Sequence, residues 1–426
     1  MRRERRGLSG GTVLVLLLCA VAILGIFAFL QTVGKDSPAA SMRLDEIAGA
    51  VGHALRVPDN SSAVSPQQTA QLSLVAGTAV PQAYPTLSND PISITMTLGG
   101  MLRFESDVQA SQSFVSDGQS ILAPLISRLQ ADLNIMGLDQ ALMDADDQAS
   151  DVLIPIETLD MIKEFGINAL VMTGEKILDG GLAPAQRTLD AIASRRLLAI
   201  GLGDGKVTSF RINGLSISWL HASERLSATG RKVTSDEERS AFMLPYNAEK
   251  LVEQVTVLRG QADLVIVSLN WQTMAGQTPT AAQRTIAHRL GQAGADMILG
   301  MGGEQVQGIE LYQLKDSGDE RRDVLIAYSL GNILTENRSM RELLSGVLMH
   351  LTLTYDPQNK TLSYDSLSYS PSYVRKWTVG GKQHFQVLLS AETPPDDMSN
   401  TQREQMARSL QLIQEAFAGS PARLQR

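Results

Sequence analysis

The chain has 426 residues, 43% of them apolar and 19% charged, a globular balance that excludes a disordered protein. Its length exceeds what one compact domain usually needs, so a main domain with appendages is expected. The net charge of −8 speaks against nucleic acid as a partner, and the single cysteine, Cys19, excludes a disulfide framework within one chain and any cysteine-based metal site or nucleophile outside the apolar run that holds it.

Arg2, Arg3, Arg5 and Arg6 precede an uncharged stretch, Thr12 to Leu30, that is almost wholly apolar. As a helix rising about 1.5 Å per residue it spans roughly the 30 Å hydrocarbon core of a membrane. Arginines before the span favour an internal amino terminus, which places the rest of the chain outside. The alternative is a cleaved signal peptide. Its apolar region is normally shorter and ends at a small-x-small site, which does not follow promptly here. Cys19 sits mid-span, where a lipoprotein-type cysteine does not belong. Residues 1–33 are therefore expected to be a cytoplasmic tip and a single-pass membrane anchor.

Residues 34–91 read as a stalk. Leu44, Ile47, Val51 and Leu55 fall on one helical face closed by Pro58, and His53 on that helix reads as a solvated residue. Asn60 to Pro91 is rich in Ser, Gln, Ala, Thr and Pro, as a spacer is.

From Ile92 the texture changes. Ile92 to Thr97 alternates like a strand. Helix-then-strand units follow: Thr158–Phe165 before Ala169–Met172, Pro184–Ser194 before Leu197–Ile200, and the face Ala248, Leu251, Val252, Val255, Leu258 before Leu264–Val267. Thr278 with Pro279 behind it predicts the start of a helix running to about Gln292, ahead of the strand Met297–Leu299. Such alternation predicts an α/β fold with helices covering sheet faces. The strands Val324–Ser329, Val347–Tyr355 and Leu362–Tyr369 predict an added antiparallel portion. The continuous apolar run Leu264–Leu269 predicts a central strand buried on both faces. Residues 92–379 form the main domain in this reading. Residues 380–426 form an extension whose helix carries a docking stripe of Met406, Leu410, Ile413 and Phe417.

The histidines limit the chemistry. His288 and His350 share their faces with polar residues and read as exposed, and His384 has no patterned partner. His221 ends a strand in phase with Leu215, Ile217 and Trp219, so it is either a buried, hydrogen-bonded histidine or a cleft residue. No HxH or HxxxH pair occurs, so a histidine-rich metal site has no obvious ligands. Gly201 to Lys206 lacks the spacing of a phosphate-binding loop and reads as a strand-to-strand turn. Tyr328-Ser329-Leu330-Gly331-Asn332 is not a nucleophile elbow.

The order of motifs resembles the CapA family of poly-gamma-glutamate capsule synthesis proteins from about Ile92 to Tyr369. The match runs through Asp263 to Trp271, Pro279 to Gln283, Gly294 to Gly300, Val306 to Tyr312, and Tyr328 to Asn332. The resemblance implies a metallophosphatase-like four-layer αββα sandwich and a role in making or exporting a surface polymer. Surface polymer and other capsule-synthesis proteins are the partners it implies. The departures sit where the family carries metal-binding side chains. The aspartate of its GD pair corresponds to Gly99, and its NLE to Gly137-Leu138-Asp139. Its NNH corresponds to Gly174-Glu175-Lys176, its HWG turn to Asn270-Trp271-Gln272, and the histidines of its GHHPH turn to Met301, Gly302 and Glu304.

Gly99, Gly137 and Gly302 offer no side-chain ligand. Lys176 places an ammonium where an imidazole belongs, and two like charges about 4 Å apart oppose each other by roughly 4 kcal/mol at an effective dielectric of about 20. The expectation is a non-catalytic protein with no metal or other cofactor. Its former pocket would be a ligand cleft lined by Asp139, Glu175, Lys176, His221, Asn270, Trp271, Glu304 and Asn332. Two alternatives stay open. Asp139, Glu175 and Glu304 could form an all-oxygen Mg²⁺ or Ca²⁺ site of a divergent hydrolase. The chain could also be a purely structural assembly factor tethered to the membrane.

Overall fold

The computed structural model describes residues 73–74, 90–111, 113–114, 119–143, 151–203, 207–271, 276–315 and 321–425. The expected span at 12–30, the stalk helix and most of the spacer lie outside them. Among the described residues no helix is long and apolar enough to cross a membrane.

The strands in chain order are β1 Ser73–Leu74, β2 Ile92–Leu102, β3 Leu133–Leu138, β4 Ala141–Leu142, β5 Leu153–Ile154, β6 Ala169–Met172, β7 Leu198–Ile200, β8 Val207–Ile212 and β9 Leu215–Ser223. They continue with β10 Leu264–Asn270, β11 Met297–Gly300, β12 Val306–Lys315, β13 Arg321–Leu330, β14 Asn332–Leu334, β15 Ser345–Asp356, β16 Thr361–Val379, β17 Lys382–Leu389 and β18 Arg423–Leu424. The longer helices are α1 Glu157–Glu164, α2 Leu182–Ser194, α3 Ala248–Arg259, α4 Ala281–Ala293 and α5 Asn400–Ala416.

Two large sheets result. One has seven strands in the order β1-β8-β9-β10-β11-β13-β12. The other has nine, with β17-β16-β15-β2-β3-β6-β7 as its path, β14 beside β2 and β18 beside β16. The parallel strands are β2, β3, β6 and β7 in one sheet and β9, β10, β11 and β13 in the other. The strand-rich last third supplies antiparallel partners, β15 and β16 on one sheet and β12 on the other. The mixed α/β expectation holds, and β10 lies between β9 and β11 with every residue buried.

The apolar clusters fix the layers. Met96, Leu98, Ile135 and Val171 of the nine-stranded sheet share one cluster with Trp219, Ile266, Leu299 and Leu325 of the other. On the far side of the nine-stranded sheet, Met136, Leu138 and Leu170 pack with Leu159 and Ile162 of α1 and Ile192 of α2. On the far side of the seven-stranded sheet, Val265, Val267 and Ile298 pack with Leu251 and Val255 of α3 and Ile286 and Leu290 of α4. Alternate residues of one strand thus feed two cores, as the two-residue strand period requires.

Asp296 ties the seven-stranded sheet together. Its buried carboxylate accepts from Val265 N at 2.9 Å and from Arg259 at 3.0 Å. The helix before β11 is capped by Thr280, whose hydroxyl accepts from Gln283 N in a reciprocal capping box. The expected cap at Thr278 is displaced by two residues, because a glutamine stands three positions after Thr280. Ser73–Leu74, within the stretch read as spacer, pairs with β8. The tail is built into the nine-stranded sheet, for β17 pairs with β16 along Ser372 to Val379. Met406, Ile413 and Phe417 of its stripe are buried, while Leu410 is half-buried.

His288 and His350 are less exposed than their patterns suggest. His288 is half-buried, stacked on Tyr312 at 3.9 Å and bonded to Glu310 at 2.9 Å. His350 lies between Thr97 Oγ1 at 3.1 Å and Ser370 Oγ at 3.0 Å, and burial pushes it down to about 4. In both, a neighbouring strand supplies the cover that a single strand or helix face does not reveal.

Candidate functional site

In open parallel sheets the carboxyl ends of the strands are where loops converge to form sites. Here the ends of β2, β3 and β6 meet those of β9, β10, β11 and β13. Asp139 follows β3, Glu175 and Lys176 follow β6, Asn270 ends β10, and Asn332 opens β14. One chain crossing supports the edge. After β13 the backbone turns at Gly331, with φ +66, and continues as β14 in the other sheet. A side chain at neighbouring Gly100 would meet the Gly331 carbonyl oxygen at 2.2 Å, so the crossing needs glycine on both strands. Asn332 lands buried just beyond it, accepting from Arg103 Nε at 3.3 Å and donating to the Leu343 and Glu304 carbonyls.

Asp139 is 2% exposed. Its Oδ1 accepts from Glu175 N at 2.9 Å and Lys176 N at 3.0 Å. Its Oδ2 has no hydrogen-bond partner of ordinary geometry, though the Thr173 hydroxyl eases its ionised form. Burial pushes Asp139 up to about 6; nearby Arg103 opposes the rise and Glu175 adds to it. Glu175 itself is held by Arg225 at 2.8 Å. Lys176 is half-buried; Asp151 is held low chiefly by accepting from Ser106 N at 3.0 Å, and the Lys176 charge adds a little to that.

His221 is buried and its tautomer follows from its neighbours. Nε2 faces the Thr173 carbonyl at 3.2 Å, which can only accept. Nδ1 must then accept from Ser268 Oγ at 2.8 Å, and Ser268 Oγ accepts in turn from Trp219 Nε1 at 2.8 Å. Burial pushes this histidine down to about 4, so it is neutral at pH 7. The buried, hydrogen-bonded reading of His221 is therefore the one its surroundings fit. Asn270 donates to the same Thr173 carbonyl at 3.1 Å, and its Oδ1 has no partner. Thr173 thus couples the end of β6 in one sheet to β9 and β10 in the other.

The sequence-derived residues divide. Asp139, Glu175 and Lys176 lie together through main-chain bonds, and His221 and Asn270 join them through Thr173. Asn332 and the Glu304 main chain form a neighbouring group around Arg103. Trp271 turns away. It is buried in the core under α3 and α4, stacked on Tyr328 with its Nε1 donating to the Tyr328 carbonyl at 3.1 Å. Sequence reasoning missed Arg103, Thr173, Ser268 and Arg225. Arg103 carried a readable signal, a cation directly after the apolar strand Ile92–Leu102.

Residues 95–337 match the family described as bacterial capsule synthesis protein PGA_cap. The chain belongs to this family. It is 24% identical over 184 residues to the PGA biosynthesis protein CapA of Bacillus subtilis strain 168, covering 42% of this chain and 45% of that protein. It is 26% identical over 187 residues to the capsule biosynthesis protein CapA of Bacillus anthracis, covering 42% of each. The chain thus spans less than half the length of these relatives. Among solved structures, a phosphatase from Mycoplasma pneumoniae aligns over 66% of this chain and 93% of its own, at TM-score 0.39 and 14% identity. The calcineurin-like phosphoesterase YfkN of Bacillus subtilis aligns over 76% of this chain and 100% of its own, at TM-score 0.36 and 9% identity. Overlaps this loose say nothing of the chain's own chemistry.

The pair of metal ions that the CapA resemblance implies can be tested against the residues present. A Cβ at Gly137 would meet Met101 Sδ at 2.3 Å and Met301 Cε at 2.8 Å, both side chains of the core between the sheets. A Cβ at Gly99 would meet Met136 Sδ at 2.0 Å and Leu348 Cδ2 at 3.1 Å, both in the core on the far side of the nine-stranded sheet, so position 99 faces away from the strand-end edge. Gly302, with φ +77, presses on Asn270, whose Oδ1 would lie 2.2 Å from a Cβ. At position 137 thioethers fill the room where the CapA resemblance implies a ligand, and Arg103 and Arg225 bring cations to the carboxylates that remain. These residues do not fit a two-metal centre, which needs several anionic or imidazole donors around adjacent dications.

Proposed function

We propose that this protein serves synthesis or export of an anionic surface polymer, capsule or poly-gamma-glutamate, as a non-catalytic component. It is anchored by the span at 12–30, with its metallophosphatase-like domain outside the membrane. Family membership supports the polymer role. One observation supports the non-catalytic reading above the rest: at Gly137 the ligand position is packed by Met101 and Met301, from the core between the sheets. The strand-end edge then works as a hydrogen-bonded joint between the sheets rather than as a metal cradle.

The test is complementation. Deleting the gene in its host should reduce cell-bound polymer, and the Asp139→Asn variant should restore it as fully as the unaltered protein. A variant that is stably made and membrane-bound yet restores nothing defeats the non-catalytic reading.

A second reading has one observation in its favour. Asp139 Oδ2, Thr173 Oγ1 and Asn270 Oδ1 are all buried oxygens without partners, a hard-donor set of the kind that Mg²⁺ or Ca²⁺ takes. The Arg225 pairing of Glu175 and the charge of Arg103 weigh against it. Elemental analysis of the purified chain after Mg²⁺ and Ca²⁺ loading decides, since about one tightly held ion per chain would establish this reading.

A further inference from the structure

Beside the joint, at the same end of the nine-stranded sheet, lies a pocket of about 360 Å³. The loop after β14, strand β16 and helix α5 form it, and Arg338, Arg341, Leu344, Tyr373, Lys376 and Gln405 line it. Three of the six are cations and none is a carboxylate. Their partners differ. The Lys376 ammonium is taken by Asp107 Oδ2 at 2.6 Å. Tyr373 donates to Gln405 Oε1 at 2.8 Å, which turns the amide NH₂ of Gln405 to other use. Arg341 is exposed.

Arg338 stands apart. Its Nη1 donates to the Val374 carbonyl at 2.7 Å and its Cζ lies 5.7 Å from the Phe385 ring centroid, but Nε and Nη2 are buried with no hydrogen-bond partner. On a planar guanidinium these two N–H groups lie on one edge and point the same way, which is the fork that receives both oxygens of a carboxylate. The guanidinium cannot shed its proton to escape burial, and an unmet charged donor edge is costly enough that native structures seldom keep one without a reason. The nearest acid acting on it, Glu105, has its Oε2 engaged by Thr335 Oγ1 and Glu336 N.

We propose that this pocket binds a carboxylate of an anionic chain, taken side-on by Arg338 once its side chain turns the unpaired edge to the pocket, with Arg341 drawing the chain to the mouth. The source of the carboxylate rests on the polymer role proposed above; the pocket itself does not. It also adjoins the joint, since Asn332 donates to the carbonyl of Leu343, next to the lining residue Leu344.

Calorimetric titration of the full chain in detergent tests this, with a short glutamate oligomer and inorganic phosphate as separate probes. The oligomer should bind, more weakly as salt rises. Arg338→Lys keeps a charge and a donor for Val374 but loses the fork, and should weaken binding at least about tenfold, the scale of a charge-assisted pair. Arg341→Gln, at an exposed position that leaves folding intact, should weaken it less and flatten the salt dependence. No oligomer binding by the unaltered chain overturns the proposal, as does equal binding by Arg338→Lys. Arg338-dependent binding of phosphate but not of the oligomer overturns the carboxylate assignment. Complementation by Asp139→Asn does not involve this pocket, so the two readings fail separately.

Discussion

Replacing Asp139 by asparagine should make the protein more stable at neutral pH. Removing a buried, hydrogen-bonded carboxylate would ordinarily be expected to cost stability, so the sign is informative. Burial lifts Asp139 from its ordinary 3.8 to about 6 in the folded protein. A carboxyl with a raised folded-state pKa binds its proton more tightly when folded. Stability is therefore lost as pH climbs from about 4 to about 6, and the full cost, about 3 kcal/mol at roughly 1.4 kcal/mol per pKa unit, is present at pH 7. Asparagine never ionises. Its Oδ1 can still accept from Glu175 N and Lys176 N, the bonds that Asp139 makes. Its amide can donate to the Thr173 hydroxyl, which already eases the carboxylate. Against these gains stands the lost attraction to Arg103, already counted in the net shift. Urea unfolding followed by tryptophan fluorescence suits the measurement, because Trp219, Trp271 and Trp377 all lie in the α/β domain. Asp139→Asn should match the unaltered protein near pH 3.5 and exceed it by about 2–3 kcal/mol at pH 7. A variant that is less stable at pH 7, or a difference that does not change with pH, refutes the reasoning.

His221 should tilt the curve the other way. Its folded-state value of about 4 lies below its ordinary 6.5, so it contributes stability above pH 6.5 that is lost as pH falls towards 4, up to about 3 kcal/mol. His221→Asn should remove that acid-side loss in the same urea titration. Asp296→Ala should cost about 3–5 kcal/mol in unfolding free energy, because it strands Arg259 and Arg322 beside a buried vacancy. Gly302→Ala should cost about 2 kcal/mol by chemical denaturation, through the positive φ and the contact with Asn270. Trp219→Phe should cost about 1–2 kcal/mol by losing the donor to Ser268.

Periodicity and motif order alone determined the α/β class, the central strand Leu264–Leu269, the antiparallel last third and the family. These are local signals: an apolar run or a helical stripe is written in neighbouring residues, and motifs keep their order along the chain. The same reading marked the empty ligand positions at Gly99, Gly137 and Gly302. Tertiary structure alone decided what fills them. Met136 meets Gly99 and Met101 meets Gly137 only because β2 pairs with β3, and Met301, at the end of β11, reaches Gly137 only where the two sheets pack together. It also decided that Trp271, beside Asn270 in sequence, faces the opposite core, because successive residues of a strand end point to opposite sides of the sheet. Likewise Arg103 meets Asn332, and Arg338 meets a pocket built from β16 and α5, across separations of the chain that no local pattern spans. Side-chain packing between distant strands sets the electrostatics of this edge, and that packing exists only once both sheets have formed.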